Sequence, residues 1–559
     1  MEPVARRIRL GCAAVATGVA VVALVGAVLF CVWALLAPKA PGPSLLLIPV
    51  FTVLVVAVGL VVAVYDDLVR TADEPSSGGL TTFLTAMAII SLIVVGLVSL
   101  FGEVDDIRST WRATLQAPVV LSAWGLAVAG CVAALLASLL TPGGVRPRRP
   151  LLGSGAVIGL VAVLVCGVAA VRSGDDGRNI DATVAGDAAV PAVPATLGER
   201  RFTVETSATL ELDFDDPPEA LAAGGTGFVI LEARGVRAYD SEANERWHYL
   251  RTGSPEITSS AMRVYDGGRT VMVRFVGRSP EDVNYVVAFD AVSGEVLWQA
   301  DDARGKYSFD GIFEFRERIP FLLAEDGEDR WTRIDTRTGE SMWSIDLPRD
   351  CQRPAAVAGE RLVYVATCLD GADAVYTLVS IDAATGKPAL TKEIDRFPFR
   401  SDETERVYAL DPQLFPASDE VVVLTSGARG VPIRYHKVDV RTGAVANTPL
   451  PQSFDGDPRG DVLTYEPQRK VFNLRSGADL AVRCEVPADF PIGAVAWLGE
   501  TFVVQDDGGL AAFARTDCAR RAERPEEDGE FIYVVPAPGV TLAVRRLGDD
   551  RMVVEGYGS

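Results

Sequence analysis

Residues 286–299 read VVAFDAVSGEVLWQ, and this stretch decides the fold. Residues 286–289 form an apolar strand, residues 290–294 a turn, and residues 295–298 the start of a return strand. An Asp side chain can accept backbone N–H groups two residues further on, and Gly adopts a positive φ without a Cβ penalty. The stretch therefore predicts a β-hairpin whose short turn ends in a left-handed glycine.

The same hairpin recurs along the rest of the chain. Turn-like segments start at residues 240, 290, 335, 382, 439 and 473, so that successive starts lie 50, 45, 47, 57 and 34 residues apart. The residues that define these turns are Asp240, Asp290 with Gly294, Asp335 with Gly339, Asp382 with Gly386, Asp439 with Gly443, and the weaker pair Asn473 with Gly477. A period of this size in a strand-rich chain is typical of a β-propeller, in which each repeat supplies one four-stranded blade.

A tryptophan follows three of these turns, at Trp247, Trp298 and Trp343. A strand, the pattern D-x-x-T/S-G and a second strand with Trp together resemble the PQQ-like, or BamB-like, propeller repeat. In that family the Trp docks between neighbouring blades, so the resemblance implies the same role for these three residues. It covers roughly the last two thirds of the chain, and it implies a fold more firmly than a function.

The blade count follows from the strands at the two ends of residues 201–559. Residues 202–214 alternate apolar and polar side chains and precede the first repeat, while three strands follow residue 525, at 531–535, 540–546 and 551–555. Three strands make an incomplete blade, which the strand at 202–214 can complete. We therefore expect eight blades, with seven as the alternative, in a ring closed by pairing of the two chain ends. Closure of this sort is also what the BamB-like resemblance implies.

Residues 1–172 are mostly apolar, and residues 173–200 form an Asp, Gly, Ala, Pro and Val-rich linker, flexible or partly extended. Five apolar runs are long enough to cross a bilayer, at residues 10–36, 44–65, 80–101, 119–140 and 151–171. Arginines precede the first run and lie between the fourth and fifth. The positive-inside rule then places the N-terminus in the cytoplasm and the propeller outside the cell membrane.

Charge and composition exclude several classes of function. A net charge of -21 argues against binding to nucleic acid, and two histidines leave little scope for His-based catalysis or multi-His metal sites. No ionisable residue lies well inside any predicted span, which weighs against a transporter. Gly155 and Gly159 have the GxxxG spacing of close helix pairs, although glycine is also simply common in membrane helices.

Four cysteines lie in the propeller region, an even number in an oxidising compartment. Cys351 precedes the first strand of repeat four and Cys368 ends its second, so antiparallel pairing predicts a disulfide between them. Cys484 and Cys518 pair only by elimination. The predicted strand directions place them on opposite faces, so either that disulfide is absent or the strand boundaries there are wrong.

The composition suggests a bacterial protein, and the pattern as a whole favours a binding scaffold of the cell envelope rather than an enzyme. Its expected partners are the lipid bilayer and a protein, peptide or envelope glycan on the propeller. We predict no catalytic, cofactor-binding or metal-binding residue, and we interpret the acidic stretches at 325–329 and 455–461 as solvated loops, because neither has calcium-loop spacing.

Two alternatives stay open. Membrane-bound PQQ-dependent glucose dehydrogenase resembles this architecture, which implies PQQ and Ca²⁺ as cofactors of a sugar or alcohol dehydrogenase. The adjacent cysteines of the alcohol-dehydrogenase branch are absent from this sequence. A sensor that signals through the helices would need a separate cytoplasmic partner.

Overall fold

A computed structural model describes most of the chain, in segments. The described residues are 2–36, 116–140, 149–173, 180–206, 220–252, 258–276, 284–301, 319–325, 329–399, 410, 412–428, 431–448, 453–457, 460–487, 495–506, 509–525, 530–547 and 551–558. They fall into two compact units, one helical and one built of strands, and each is described by itself.

The helical unit contains α1 (Glu2–Leu36), α2 (Gln116–Leu140) and α3 (Arg149–Ser173). Each includes a segment long and apolar enough to cross a membrane, at Arg7–Ala34, Pro118–Ala137 and Leu151–Arg172. These segments correspond to the first, fourth and fifth predicted spans. The predicted spans at 44–65 and 80–101 lie outside the described residues.

Small residues let α1 pack closely on α3. A Cβ added at Gly155 would lie 2.1 Å from the carbonyl oxygen of Val15, and one added at Gly18 would lie 2.4 Å from that of Leu152. At Gly159 an added Cβ would lie 2.9 Å from Val22. The GxxxG spacing of α3 therefore marks a close helix–helix contact, in which backbones touch because no side chain separates them.

The second unit consists of eight β-sheets, which are the blades of an eight-bladed β-propeller. The strands of the first four blades are β3 (Leu221–Gly224), β4 (Gly227–Glu232), β5 (Gly235–Asp240), β6 (Glu245–Arg251); β7 (Thr258–Tyr265), β8 (Thr270–Val276), β9 (Asn284–Asp290), β10 (Val296–Asp301); β11 (Leu322–Glu325), β12 (Arg330–Ile334), β13 (Ser341–Asp346); and β14 (Ala355–Ala358), β15 (Arg361–Asp370), β16 (Asp373–Asp382), β17 (Pro388–Pro398).

The strands of the last four blades are β18 (Leu414–Pro416), β19 (Val421–Ala428), β20 (Val431–Asp439), β21 (Val445–Asn447); β22 (Ser453–Gly456), β23 (Asp461–Glu466), β24 (Val471–Ser476), β25 (Val482–Pro487); β26 (Val495–Trp497), β27 (Thr501–Asp506), β28 (Gly509–Ala514), β29 (Arg520–Pro525); and β30 (Glu530–Ala537), β31 (Val540–Leu547), β32 (Arg551–Gly558). Within each blade the strands pair antiparallel with their sequence neighbours.

The hydrophobic core lies between neighbouring blades. One cluster joins the inner strands of blades four and five through Val363, Leu378, Leu424 and Val438, all fully buried. Similar clusters join blades three and four, six and seven, and seven and eight. Because both faces of a blade are apolar, each blade buries its faces only by packing against its two neighbours.

The first two strands of this unit add to blades that are formed mainly by later strands. The strand β1 (Ile180–Thr183) lies beside β6 in blade one, and β2 (Glu199–Thr206) pairs with β32 in the order β2-β32-β31-β30. The strand predicted at 202–214 therefore starts three residues earlier, and residues 207–214 lie outside the described residues. The carboxylate of Glu555, fully buried on β32, binds Arg200 on β2 at 3.2 Å and Arg545 on β31 at 2.5 Å.

The predicted linker is an ordered segment over part of its length. Residues 184–198, here called the strap, have no regular secondary structure and bond to four blades. The strap's hydrogen bonds include Ala185 N to Ser293 O (2.8 Å), Arg246 Nη2 to Gly186 O (2.8 Å), Gly539 N to Ala192 O (3.0 Å), Gly499 N to Pro194 O (3.1 Å), Glu500 N to Ala195 O (2.8 Å), Thr501 Oγ1 to Ala195 O (3.3 Å) and Arg524 Nη2 to Gly198 O (2.7 Å). The linker predicted over residues 173–200 therefore includes β1 and the strap, both of which bond to the blades.

The close contact of α1 and α3 predicts that Gly155→Ala destabilises the helical unit. The added methyl group would overlap the α1 backbone at Val15, and backbone cannot rotate away as a side chain can. We expect the helical circular dichroism of the full-length protein in detergent to melt several degrees lower.

Gly153→Ala is the matched control, because a Cβ at this position on the same helix meets nothing within 4 Å. It should leave the transition unchanged or raise it slightly, since Ala is the better helix former. Equal melting of the two variants would contradict the close contact.

Candidate functional site

The hairpin turns of blades two to five share one geometry. In blade two the N–H of Gly294 donates to the carbonyl of Asp290 at 2.8 Å, and Gly294 has a φ of 76°. The Asp290 carboxylate accepts the N–H groups of Val292 and Ser293, each at 3.0 Å. The same bonds recur around Asp335, Asp382 and Asp439, whose turns end in Gly339, Gly386 and Gly443 with φ values of 73°, 69° and 71°.

The three predicted tryptophans lie on the last strands of blades one to three, and each packs on the turn of the next blade. Their indole N–H groups donate to turn carbonyls: Trp247 to Ala291 at 2.9 Å, Trp298 to Thr336 at 2.8 Å, and Trp343 to Ala383 at 2.9 Å. An added Cβ would lie 2.6 Å from Trp247 at Gly294, 2.9 Å from Trp298 at Gly339 and 2.8 Å from Trp343 at Gly386. The terminal glycine thus serves both the turn and the docked ring.

The later turns depart from this sequence pattern. In blade four Leu390 replaces Trp, and its methyl groups lie 3.3 Å from a Cβ built at Gly443. The turn predicted at Asn473 to Gly477 was wrong, because Asn473 lies inside β24. The turn of blade six runs from Ser476 to Leu480, whose N–H donates to the carbonyl of Ser476 at 2.7 Å. In blade one the turn at Asp240 is a residue shorter and closes at Asn244.

Both cysteine pairs of the propeller form disulfides. Cys351, in the loop before β14, bonds Cys368 on β15, within blade four. Cys484 bonds Cys518, with 5.8 Å between the two Cα atoms. Cys484 lies on β25, the fourth strand of blade six, and Cys518 in the turn before β29 of blade seven. The expectation that these two residues lie on opposite faces was therefore wrong, because it placed Cys484 at the start of blade seven.

The acidic stretch at 455–461 lies against arginines. Arg515 of blade seven binds Asp457 through Nη2 and Asp461 through Nε, the latter at 2.8 Å, and Arg483 binds Asp461 at 2.6 Å. Asp457 and Asp461 are buried. Their charges are compensated between blades, which gives these carboxylates a structural role.

A buried polar cluster joins blades four and five. The Ser426 hydroxyl donates to Asp395 at 2.5 Å and lies 2.8 Å from Nε2 of His436, while Arg434 binds Asp395 at 3.0 Å. Burial raises the pKa of Asp395, but the Ser426 hydrogen bond and the charges of Arg434 and His436 outweigh burial and hold this pKa below its usual value. Because Ser426 is fully buried, its hydroxyl cannot reach a substrate, and the cluster acts as a joint.

Blade four carries the longest strands in the described part of the propeller, and they lie against the hairpin of blade five. Strands β15 and β16 have 10 residues each and β17 has 11, whereas β4, β5, β23 and β24 have 6 each. The Tyr376 hydroxyl donates to the carbonyl of Gly427 at 2.5 Å and braces the two hairpins. The Cys351–Cys368 disulfide holds the blade-four hairpin to the loop before β14. The extra length therefore forms a braced projection at one end of these blades.

No group of three or more His, Cys, Asp and Glu side chains among the described residues is arranged to hold a metal ion. Sequence reasoning had missed both the arginine-bound carboxylates and the cluster at Ser426. No sequence signal marks either group, because each forms only when two strands from different blades come together.

Residues 275–466 match the family model described as outer membrane protein assembly factor BamB. The match covers blades three to five and much of blades two and six, where the turn geometry is most regular. The chain carries a BamB-like propeller. The resemblance predicted from the hairpin repeats is therefore confirmed, together with the count of eight blades. A search of curated proteins finds no match to the sequence.

Solved structures similar to this BamB-like chain are distant in sequence. BamB from Moraxella catarrhalis is 14% identical, with 64% of this chain and 100% of that chain covered at a TM-score of 0.37. The computationally designed Ika8 protein is 12% identical, with 66% and 100% covered at a TM-score of 0.38. Saccharomyces cerevisiae Sqt1 is 12% identical, with 65% and 100% covered at a TM-score of 0.37.

The docked turns predict that Gly294→Ala strongly destabilises the BamB-like propeller. Its methyl group would overlap the Trp247 ring, and Ala at a φ of 76° is strained by about 1–2 kcal/mol even without neighbours. With the overlap we expect a loss of about 2–5 kcal/mol, measured from thermal unfolding of the propeller.

Gly371→Ala is the matched control, since Gly371 has a φ of 64° but a Cβ there meets nothing within 4 Å. This variant should show the backbone strain alone. If both variants lose the same stability, the ring does not constrain the glycine.

The turn carboxylates predict a dependence of stability on acid. Burial raises the pKa of Asp439, but hydrogen bonds from the N–H groups of Thr442 and Arg441 outweigh it and lower this pKa. A lowered pKa contributes stability above the unfolded value of about 3.9, and this contribution is lost as the pH falls through the folded value. Wild type should therefore melt above Asp439→Asn at pH 7, and the two melting points should converge below about pH 4. A difference between the two melting points that does not shrink as the pH falls below about 4 would contradict this explanation.

Proposed function

We propose that this protein is a non-catalytic scaffold, anchored in a membrane by its N-terminal helices, that binds a protein partner on one face of the propeller. The observation that carries this proposal is the strap, which occupies one face of the blades and leaves the other uncovered by it. The BamB-like propeller repeat supports a protein partner by resemblance.

The two faces follow from antiparallel pairing. Because strand direction alternates, the first and third turns of every blade lie at one end of its strands and the second turn lies at the other. The strap bonds to a third turn at Ser293 and to first turns at Gly499 and Gly539. All three belong to the same face, which we call the strap face, and the second turns form the opposite face, the hairpin face.

The projection formed by blades four and five lies on the hairpin face, because β15 and β16 connect through the second turn of their blade. Asp370 and Ala372 at its tip are exposed. Its braces lower the conformational entropy that a partner would have to remove on binding, which favours affinity. The propeller region, residues 201–559, has 61 Asp and Glu against 40 Lys and Arg, so a partner surface rich in Lys and Arg fits it best.

The ring of this scaffold is closed, on our proposal, by β2. Its pairing with β32 and the hydrophobic cluster that joins Phe228 and Ile230 of blade one to Leu542 and Val544 of blade eight support closure. The two disulfides support an extracytoplasmic propeller, because disulfides persist in oxidising compartments. We also propose that the protein belongs to the cell envelope of a bacterium and that its anchor crosses the membrane more than once.

The experiment compares two exposed alanines of blade four. A photo-crosslinking amino acid at Ala372 lies on the hairpin face, and the same amino acid at Ala384 lies in the third turn, on the strap face. In intact cells we expect Ala372 to give one discrete protein adduct, which Lys- and Arg-directed changes of the partner abolish, and Ala384 to give none. An adduct from Ala384 alone, or from neither site, would overturn the assignment of the face.

The absence of a cofactor is part of the same proposal and has its own test. PQQ with Ca²⁺ is titrated calorimetrically into the full-length protein in detergent, with a dye-linked assay of sugar and alcohol oxidation alongside. We expect no binding. Saturable binding with turnover would replace the scaffold with a quinoprotein dehydrogenase, whatever the crosslinking result.

A further inference from the structure

At the outer rim of the propeller, the last strand of one blade contacts the third turn of the next, and we call this contact a joint. The residues that form a joint lie at fixed positions in the sequence of each blade. Counting from the first residue of a third turn, the fifth residue has a positive φ, and the ninth lies on the fourth strand. In blade two these are Gly294 and Trp298, and Trp298 packs on Gly339, the fifth turn residue of blade three. Ninth residues therefore dock on the fifth residues of the next blade, through Trp in blades two and three and Leu390 in blade four. The turn of blade one is a residue shorter, so that Trp247 is the eighth residue of its frame, and it docks on Gly294 in the same way.

Blade six has the same backbone frame without the sequence motif. Leu480 donates its N–H to the carbonyl of Ser476 at 2.7 Å and has a φ of 63°, so Ser476 opens the turn and Leu480 is its fifth residue. The ninth residue of this frame is Cys484, on β25. Cys484 therefore occupies the position that Trp298 and Trp343 occupy in their blades.

Blade seven completes the joint. The N–H of Cys518 donates to the carbonyl of Ala514 at 3.0 Å, and Cys518 has a φ of 55°. Cys518 is thus the fifth residue of its turn, the position of Gly294 and Gly339 in theirs. The Cys484–Cys518 disulfide joins the two positions that Trp and Gly join elsewhere.

We propose that the Cys484–Cys518 disulfide is a redox-sensitive joint that replaces the Trp–Gly docking contact between blades six and seven. The two solutions exclude each other, because any Cβ at the fifth position overlaps a Trp ring docked there, as at Gly294. A cysteine at position 518 therefore requires a small residue at position 484. At these two positions, the disulfide then provides the contact between blades six and seven that a docked Trp ring provides elsewhere.

Reduction of this disulfide opens the joint between blades six and seven. A dithiol such as dithiothreitol transfers two electrons and two protons to the disulfide, which leaves two thiols, and is itself oxidised to a cyclic disulfide. Cys484 is partly exposed on the outermost strand, where a thiolate can reach it. The inner strands stay packed through Leu463, Phe502 and Val504, and Arg515 still binds Asp461, so loosening is confined to the rim.

Hydrogen exchange of the full-length protein in detergent, with and without dithiothreitol, tests the proposal. We expect reduction to speed exchange of the amides in 482–486 and 514–520 by about tenfold or more, while the Trp-docked turns at 290–294 and 335–339 stay protected. Cys484→Ala with Cys518→Ala should show the fast exchange without reductant.

Two further variants separate this joint from the other disulfide and from general destabilisation. Cys484→Trp with Cys518→Gly restores the docking pair, and its exchange at the rim should be slow and independent of reductant. Cys351→Ala with Cys368→Ala removes the bond within blade four and should keep the full response. Wild-type exchange at the rim that ignores dithiothreitol would overturn the proposal, as would loss of the response in the blade-four variant.

Discussion

The structure depends on the docking of each blade against the turn of the next. A four-stranded sheet of this size has two apolar faces and cannot bury either by itself, so blades are stable only as neighbours. The turn frame makes docking possible at the rim, because its left-handed fifth residue exposes the backbone to the adjoining blade. At Gly294 the Trp247 ring occupies the place where a side chain would be. The joint is thus a property of backbone position, which explains why different side chains can serve it.

Ion pairs also link neighbouring blades. Arg337 of blade three binds Asp290 of blade two at 2.7 Å, and Arg515 of blade seven binds Asp461 of blade six. These two carboxylates between blades therefore have arginine partners from the next blade along. A net charge of -21 over the whole chain means that many other carboxylates have no basic residue to match them. The acidic excess is available for solubility and for the steering of a basic partner.

Most of the propeller could be predicted because the turn frame leaves a sequence signature where Asp opens it and Gly closes it. The turns from Asp290 to Asp439 have that signature and were placed correctly. The sixth turn was misplaced because NLRSG imitates the motif three residues early, while Leu480 takes the glycine's conformation without its composition. The predicted boundary between blades six and seven was therefore misplaced. With that boundary, Cys484 and Cys518 were predicted to lie on opposite faces.

What the sequence could not predict are contacts between elements far apart in the chain. The carbonyls of the strap bond to backbone N–H groups at Gly499 and Gly539. Because such bonds place no demand on side chains, the strap has the composition of a linker and its order could not be predicted from the sequence. The cluster of Ser426, His436 and Asp395 likewise needs two blades to be adjacent before it exists. The three helices that the structure describes could be predicted, because length and apolarity are local properties of the sequence. The close contact at the GxxxG spacing of α3 could not be predicted from α3 alone, because it also depends on Gly18 of α1.

The course of the strap also explains why it is ordered. It bonds to blades two, one, eight and seven, the four blades on either side of the place where β2 meets β32. In the closure that we propose, pairing at this seam is entropically costly, because the two strands are more than 340 residues apart in the chain. Bonds from one continuous segment reach blades on both sides of that seam. The strap therefore supports the closure that we propose, and the place where it bonds to the blades follows from where β2 pairs with β32.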